Sequence, residues 1–276
     1  MAVLCPPLLV AYNKDRSVLK FSRILNNTSR RAVIIVNWNW MFRYVLLGPL
    51  LRAFFKVHVV GRENLPKEGP FVLAIGSHTT ELESALIQVY LREYEIRFLA
   101  KAEYWHGKGL TGKLKAWFMT NTGQIPVERL DPRNAGKVIG IGADVLKGGG
   151  ILALYPEGTR SKDGKVHKGR TGVVRTAIRG DAVIVPVGLI GFDKLNPHGR
   201  GFRPGMATMV IGKPINPHLA HDIVDIAARM TGPANALEAV LARPVTERLM
   251  HIIAHLCHKQ YDGEQLQIGQ GDLPAA

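Results

Sequence analysis

The chain has 276 residues, 46% hydrophobic and 21% charged, which suits a globular domain with a sizeable core and excludes an intrinsically disordered chain. Lys and Arg number 36 against 22 Asp and Glu, and the formal net charge of +14 favours anionic partners: phosphorylated substrates, anionic lipid surfaces or nucleic acid. Two cysteines, Cys5 and Cys257, exclude a disulfide scaffold and a cysteine metal centre by spacing, so a reducing compartment is the default.

The amino terminus lacks a basic n-region and has Pro6-Pro7 early in its short apolar stretch, so it does not read as a signal peptide. Residues 1–31 are polar and mixed. Residues 32–56, AVIIVNWNWMFRYVLLGPLLRAFFK, are apolar but broken by Asn37, Asn39, Arg43, Gly48-Pro49 and Arg52, which argues against a transmembrane helix of about 18 apolar residues. Trp38 and Trp40 beside Arg43, and Phe54 and Phe55 beside Arg52 and Lys56, suit a helix lying at a bilayer interface. An amino-terminal segment over 1–56 is expected to hold such helices.

From Val57 onward, short apolar runs alternate with helical patterns. Strands are expected at Val57–Val60, Phe71–Ile75, Arg97–Ala100, Gln124–Val127, Ile151–Tyr155, Val183–Leu189 and Ala207–Ile211. Helices are expected near Glu81–Leu91, Leu114–Met119, Arg133–Lys147, Thr171–Arg179 and Ala236–His258. This alternation predicts an α/β domain over 57–258 with helices on both faces of a sheet. The Gly- and Gln-rich end predicts a flexible tail over 259–276.

The run FVLAIGS delivers HTTELES at the carboxyl end of a strand, where α/β folds place their chemistry. A histidine held by a carboxylate is a general base, because the carboxylate sets the ring tautomer and stabilises the imidazolium. Helical spacing would favour Glu81 at i+3 from His78; a histidine placed before the first turn would favour Glu83. A second run, LYPEGTRSKDGKVHKGR, ends a strand in a turn bearing Arg160, Lys162, Lys165, Lys168 and Arg170, with Asp163 its one acid after Glu157. So much positive charge at a strand end predicts a pocket for an anionic substrate.

In these blocks the sequence resembles the glycerolipid acyltransferases of the bacterial 1-acylglycerol-3-phosphate acyltransferase type. The family's first block is His, four residues, Asp; here it is His78, four residues, Glu83. GQIPVER places Gly123 and Arg129 in the second block, YPEGTRS supplies Glu157, Gly158, Thr159 and Arg160 for the third, and VIVPVGL supplies Pro186 for the fourth. The resemblance covers Val57–Ile215. It implies a mixed, mostly parallel sheet of about seven strands flanked by helices, a glycerol-3-phosphate acyltransferase-like fold. It implies His78 and Glu83 as the catalytic pair. It implies Arg129, Glu157, Gly158, Thr159 and Arg160 around the acceptor head group, with Lys101 a further phosphate ligand by position.

The expected reaction moves a fatty acyl group from acyl-CoA or acyl carrier protein to a lysophospholipid hydroxyl, 1-acyl-sn-glycerol-3-phosphate foremost, without metal or other cofactor. Another lysophospholipid or a lipid-linked glycan is the alternative acceptor, and an anionic-membrane-binding protein the non-enzymatic alternative. The expected location is the cytoplasmic face of a membrane, peripheral or monotopic. Nucleic acid is not expected as a partner, because no stacking aromatics interleave the basic run. GKGLTG at Gly107–Gly112 follows no strand directly and reads as a loop rather than a dinucleotide site. HIIAHLCH has Ile252 where a zinc protease needs Glu, so it reads as an ordinary helix face.

Overall fold

The structure is a computed structural model that describes residues 38–80, 82–128, 134–161, 163–197, 201–218 and 234–263. Strands β1 (Phe55–Val60), β2 (Phe71–Ile75), β3 (Ile96–Lys101), β4 (Ile125–Val127), β5 (Ile151–Leu154), β7 (Val183–Ile190) and β8 (Gly205–Ile211) form one sheet in the order β1-β8-β7-β2-β5-β3-β4. Each of the seven expected strands is present within a few residues of its predicted limits. All neighbours are parallel except β7 and β8, which run antiparallel through Val187–Ile190 and Thr208–Ile211. The carboxyl ends of β2, β3, β4, β5 and β7 therefore share one edge. A second, two-stranded parallel sheet joins β6 (Val166–His167) to β9 (Tyr261–Asp262).

β2 is central, and every residue from Phe71 to Ile75 is fully buried. Its alternation divides the core. Phe71, Leu73 and Ile75 pack with Leu82, Leu86 and Ile87 of α3 (Leu82–Tyr90) on one face. Val72 and Ala74 pack on the other with Leu146 of α5 (Ala135–Lys147), Val173, Val174 and Ala177 of α6 (Gly172–Arg179), and Leu241, Val245, Leu249 and Ile253 of α8 (Ala234–Leu256). A strand buried on both faces needs an unbroken apolar run, which FVLAI is. Each large side chain so buried contributes about 1.5–3 kcal/mol relative to exposure.

The amino-terminal helices are α1 (Trp38–Met41), a π turn at Phe42–Leu46, and α2 (Leu47–Phe54). A Cβ at Gly48 would overlap the Arg43 carbonyl, so the widened turn fits only glycine there. The segment is tied to the domain by Arg43, whose Nη1 donates to the carbonyls of Arg92 at 3.1 Å and Tyr94 at 2.6 Å. Burial pushes the Arg43 guanidinium below its usual range. Trp38 and Phe42 pack edge-on against Trp117 of α4 (Gly109–Asn121). The aromatic set expected at an interface is thus split. Trp38 and Phe55 face protein, while Trp40 and Phe54 stay exposed, beside the exposed Leu46 and Leu50. No helix among the described residues is long and apolar enough to cross a membrane.

Two further expectations change. α4 begins at Gly109, inside the glycine run read as a loop, and Gly112 lies against the backbone of Gly107 where a Cβ would not fit. Residues 259–263, assigned to a flexible tail, include β9 and dock on β6. Residues 264–276 lie outside the described residues. A short helix, α7 (Phe192–Leu195), follows β7 and buries Phe192 and Leu195 in the core.

Candidate active site

β2 ends at Ile75, and the next residue donates its N–H to the Val187 carbonyl at 3.0 Å. That residue is Gly76, pressed against Ile253 of α8 so closely that a Cβ would overlap its side chain. Ser77 then adopts φ +60, a left-handed conformation uncommon outside glycine. The reversal turns His78 back over the start of α3. Two bonds tie this turn to the one after β5: Ser77 N–H donates to Glu157 Oε1 at 2.9 Å, and Ser161 N–H donates to the His78 carbonyl at 2.8 Å.

His78 Nδ1 lies 2.6 Å from Glu83 Oε2. The other carboxylate oxygen, Oε1, accepts from Thr79 N–H at 2.7 Å, Thr79 Oγ1 at 2.9 Å and Thr80 N–H at 2.9 Å. Thr80 Oγ1 in turn accepts from Leu82 N–H at 3.2 Å. Thr80 and Glu83 thereby cap the helix in the reciprocal manner of a Thr-x-x-Glu box, and the anionic Glu83 meets the positive end of α3. One carboxylate does both tasks, capping with Oε1 and holding the imidazole with Oε2. Glu83 is the partner that the family resemblance implies; Glu81 lies outside the described residues.

A carboxylate can only accept, so Nδ1 is the nitrogen that donates to Glu83, and Nε2 is the one left to act as a base. Glu83 is fully buried, while the His78 side chain retains 16% exposure. The ring stacks on Tyr155 with centroids 3.9 Å apart and planes 23° from parallel. Tyr155 is itself fixed by a 2.8 Å bond between its hydroxyl and Ser84 Oγ.

The cationic turn follows Tyr155 directly. Glu157 is only 5% exposed, and its second oxygen accepts from His167 N–H at 3.1 Å. Burial pushes its carboxyl above the usual range, against the pull of the His167 and Ser77 N–H groups. Glu157 thus ties the Ser77–His78 turn to β6, with one oxygen on each. Gly158 has φ +70, and a Cβ there would stand 3.0 Å from Arg170 Nε, so glycine leaves room for that guanidinium. Thr159 and Arg160 are exposed at the tip, and Lys101 is exposed at the end of β3 on the same sheet edge. Asp163 is absorbed by its own loop, accepting from Lys165 N–H and Ser161 Oγ, each at 3.1 Å, and pairing with His167 Nε2 at 2.8 Å. These bonds hold its carboxyl at about 2. Arg129 and Lys162 lie outside the described residues.

The structure therefore brings together His78, Glu83, Glu157 and the Gly158–Arg160 tip. Sequence reasoning missed Ser77, Tyr155 and Asn196, whose Nδ2 donates to Thr80 Oγ1 at 2.7 Å. It missed Lys259 as well. The Thr80-x-x-Glu83 pattern was a readable sign of the cap; nothing local marked Lys259.

The model of the acyltransferase family matches residues 56–190. A 1-acyl-sn-glycerol-3-phosphate acyltransferase of Chlamydomonas reinhardtii is 30% identical over 196 residues, 70% of this chain and 57% of that protein. The protein of that name from Borreliella burgdorferi is 25% identical over 209 residues, 76% of this chain and 78% of its own. The crystal structure of the 1-acyl-sn-glycerophosphate (LPA) acyltransferase of Thermotoga maritima shares the fold, with a TM-score of 0.50 at 24% identity over 72% of this chain and 76% of that one. The chain spans about half the length of the algal and plant relatives it matches, 57% and 44%. Residues 56–190, which contain both the His78–Glu83 pair and the Pro156–Arg160 turn, are the part of the chain that matches the acyltransferase family.

Proposed function

We propose that this protein is a lysophospholipid O-acyltransferase, with 1-acyl-sn-glycerol-3-phosphate as acceptor and acyl-CoA or acyl carrier protein as donor. The observation that carries the reading is the 2.6 Å contact between His78 Nδ1 and Glu83, on a turn braced by the glutamate of a cationic Pro-Glu-Gly-Thr-Arg loop. His78 Nε2 removes the proton from the acceptor hydroxyl as its oxygen attacks the thioester carbonyl. The new C–O bond forms, the C–S bond breaks, and the imidazolium returns its proton to the leaving thiolate. Glu83 stabilises the imidazolium meanwhile. The products are a diacyl lipid and a free thiol, and the atoms balance with the two substrates alone.

Arg160 and Lys101 are proposed to grip the acceptor phosphate, Arg with its planar fork and Lys as a point charge. Arg129 belongs to the same proposal by its position in the sequence. The exposed Trp40, Leu46, Leu50 and Phe54 support a protein lying on an anionic leaflet, where the lysolipid acceptor resides. The test is purified protein with labelled acyl-CoA, or acyl carrier protein, against a panel of lysolipids. Transfer to 1-acyl-sn-glycerol-3-phosphate, lost in His78→Ala, is expected; no transfer to any lysolipid, or transfer unaffected by His78→Ala, refutes the reading.

A further inference from the structure

The chain beyond the matched family region returns to the catalytic turn. α8 presses Ile253 onto Gly76, and three residues past its end Lys259 Nζ donates to Ser77 Oγ at 2.5 Å. Ser77 is 2% exposed and holds φ +60, a conformation that costs a non-glycine residue free energy unless its surroundings impose it. Glu157 fixes the Ser77 N–H and Ser161 holds the His78 carbonyl, both through the backbone. Lys259 adds the hold on the Ser77 side chain. The same strap continues into β9, beside β6. There Val166 N–H bonds to the Gln260 carbonyl at 3.1 Å, and the neighbouring His167 N–H holds Glu157. The carboxyl-terminal strap therefore anchors both groups that grip Ser77.

We propose that Lys259 is a positioning residue for acyl transfer: by clamping Ser77 it holds the following residue, His78, against Glu83. This rests on the acyltransferase reading for its effect on rate, but not for its effect on the histidine. Without the clamp, Ser77 relaxes toward ordinary backbone angles and His78 swings off Glu83. Substrate binding is not touched, because Lys259 acts through Ser77.

The experiment compares wild type, Lys259→Met, Lys259→Arg, Ser77→Ala and the Lys259→Met/Ser77→Ala double variant. Lys259→Met is expected to lower kcat about tenfold to a hundredfold, with KM for both substrates within about twofold. Ser77→Ala should match it, the double variant should add nothing further, and Lys259→Arg should restore part of the rate. In parallel, the rate at which diethyl pyrocarbonate modifies His78 is read by peptide mass spectrometry; this needs no substrate. It should rise several-fold in Lys259→Met and in Ser77→Ala. Unchanged His78 labelling in both variants, or additive losses in the double variant, would overturn the proposal. Wild type inactive on every lysolipid but showing the labelling increase would refute the acyltransferase reading and leave the clamp standing. If Lys259→Met does not fold, Ser77→Ala alone decides, by the same labelling and the same kcat.

Discussion

Replacing Glu83 with Gln changes one atom of the side chain and inverts the chemistry of His78. The amide has one acceptor and one donor end where the carboxylate had two acceptors. Three donors converge on Oε1, from Thr79 N–H, Thr79 Oγ1 and Thr80 N–H, and one on Oε2, from His78 Nδ1. At about 1 kcal/mol for each neutral bond, the amide oxygen stays with the three donors. The NH2 group then faces Nδ1, which must accept, so the ring's proton moves to Nε2. The atom that should take the substrate proton already holds one. The expected loss in kcat is about ten-thousandfold, the scale of a wrong tautomer in a His–carboxylate pair. KM should change little, and the thermal midpoint should fall by only a few degrees, since the helix cap survives. The assay is release of free thiol from acyl-CoA in the presence of 1-acyl-sn-glycerol-3-phosphate, with circular dichroism to check the fold. A folded Glu83→Gln protein retaining more than about a tenth of wild-type kcat would refute the tautomer argument.

Gly76→Ala forces a methyl into Ile253 and should destabilise the protein by about 1–3 kcal/mol, read in urea; Gly76→Ala/Ile253→Ala should recover part of it, and additive losses would mean the two do not compete for space. Glu157→Gln leaves one of the two N–H groups facing an amide NH2 and should cost about 1–3 kcal/mol. Because the Glu157 carboxyl is raised by burial, the folded state binds its proton more tightly than the unfolded one, so this group's contribution to stability falls as pH rises from the ordinary carboxylate range through the raised value. Glu157→Gln should lack that fall in urea titrations across this pH window; an identical pH slope would contradict the assignment. Arg160→Ala should raise acceptor KM about tenfold with kcat nearly unchanged, and an unchanged KM removes Arg160 from the head-group site. Leu50→Glu/Phe54→Glu should release the protein from anionic liposomes in sedimentation while leaving its melting curve in place; retention on the liposomes would move the membrane contact elsewhere.

The sheet was legible because its cause is local. A strand buried on both faces must be an unbroken apolar run, and FVLAI, ILAL and VIVPVGLI are such runs at strand length. The His78 and Glu157 blocks were legible for a related reason: each sits just past the carboxyl end of a strand, where a parallel sheet gathers its loops. Sequence order alone could not bring the two blocks together. β2 and β5 are neighbours in the sheet though about eighty residues apart in the chain, and only that pairing lets Glu157 brace Ser77. The interfacial aromatics show the same limit. Composition marked Trp38, Trp40, Phe54 and Phe55 alike, and packing against α4 and the start of β1 then buried some and left others exposed. Lys259 is the extreme case. It stands among polar residues near the end of the chain, 182 positions from the serine it holds, and its role exists because α8 crosses the sheet and delivers it there. Periodicity and short motifs determine which residues are apolar, turned or capped; long-range contacts, which depend on chain crossings, decided which of them form the site.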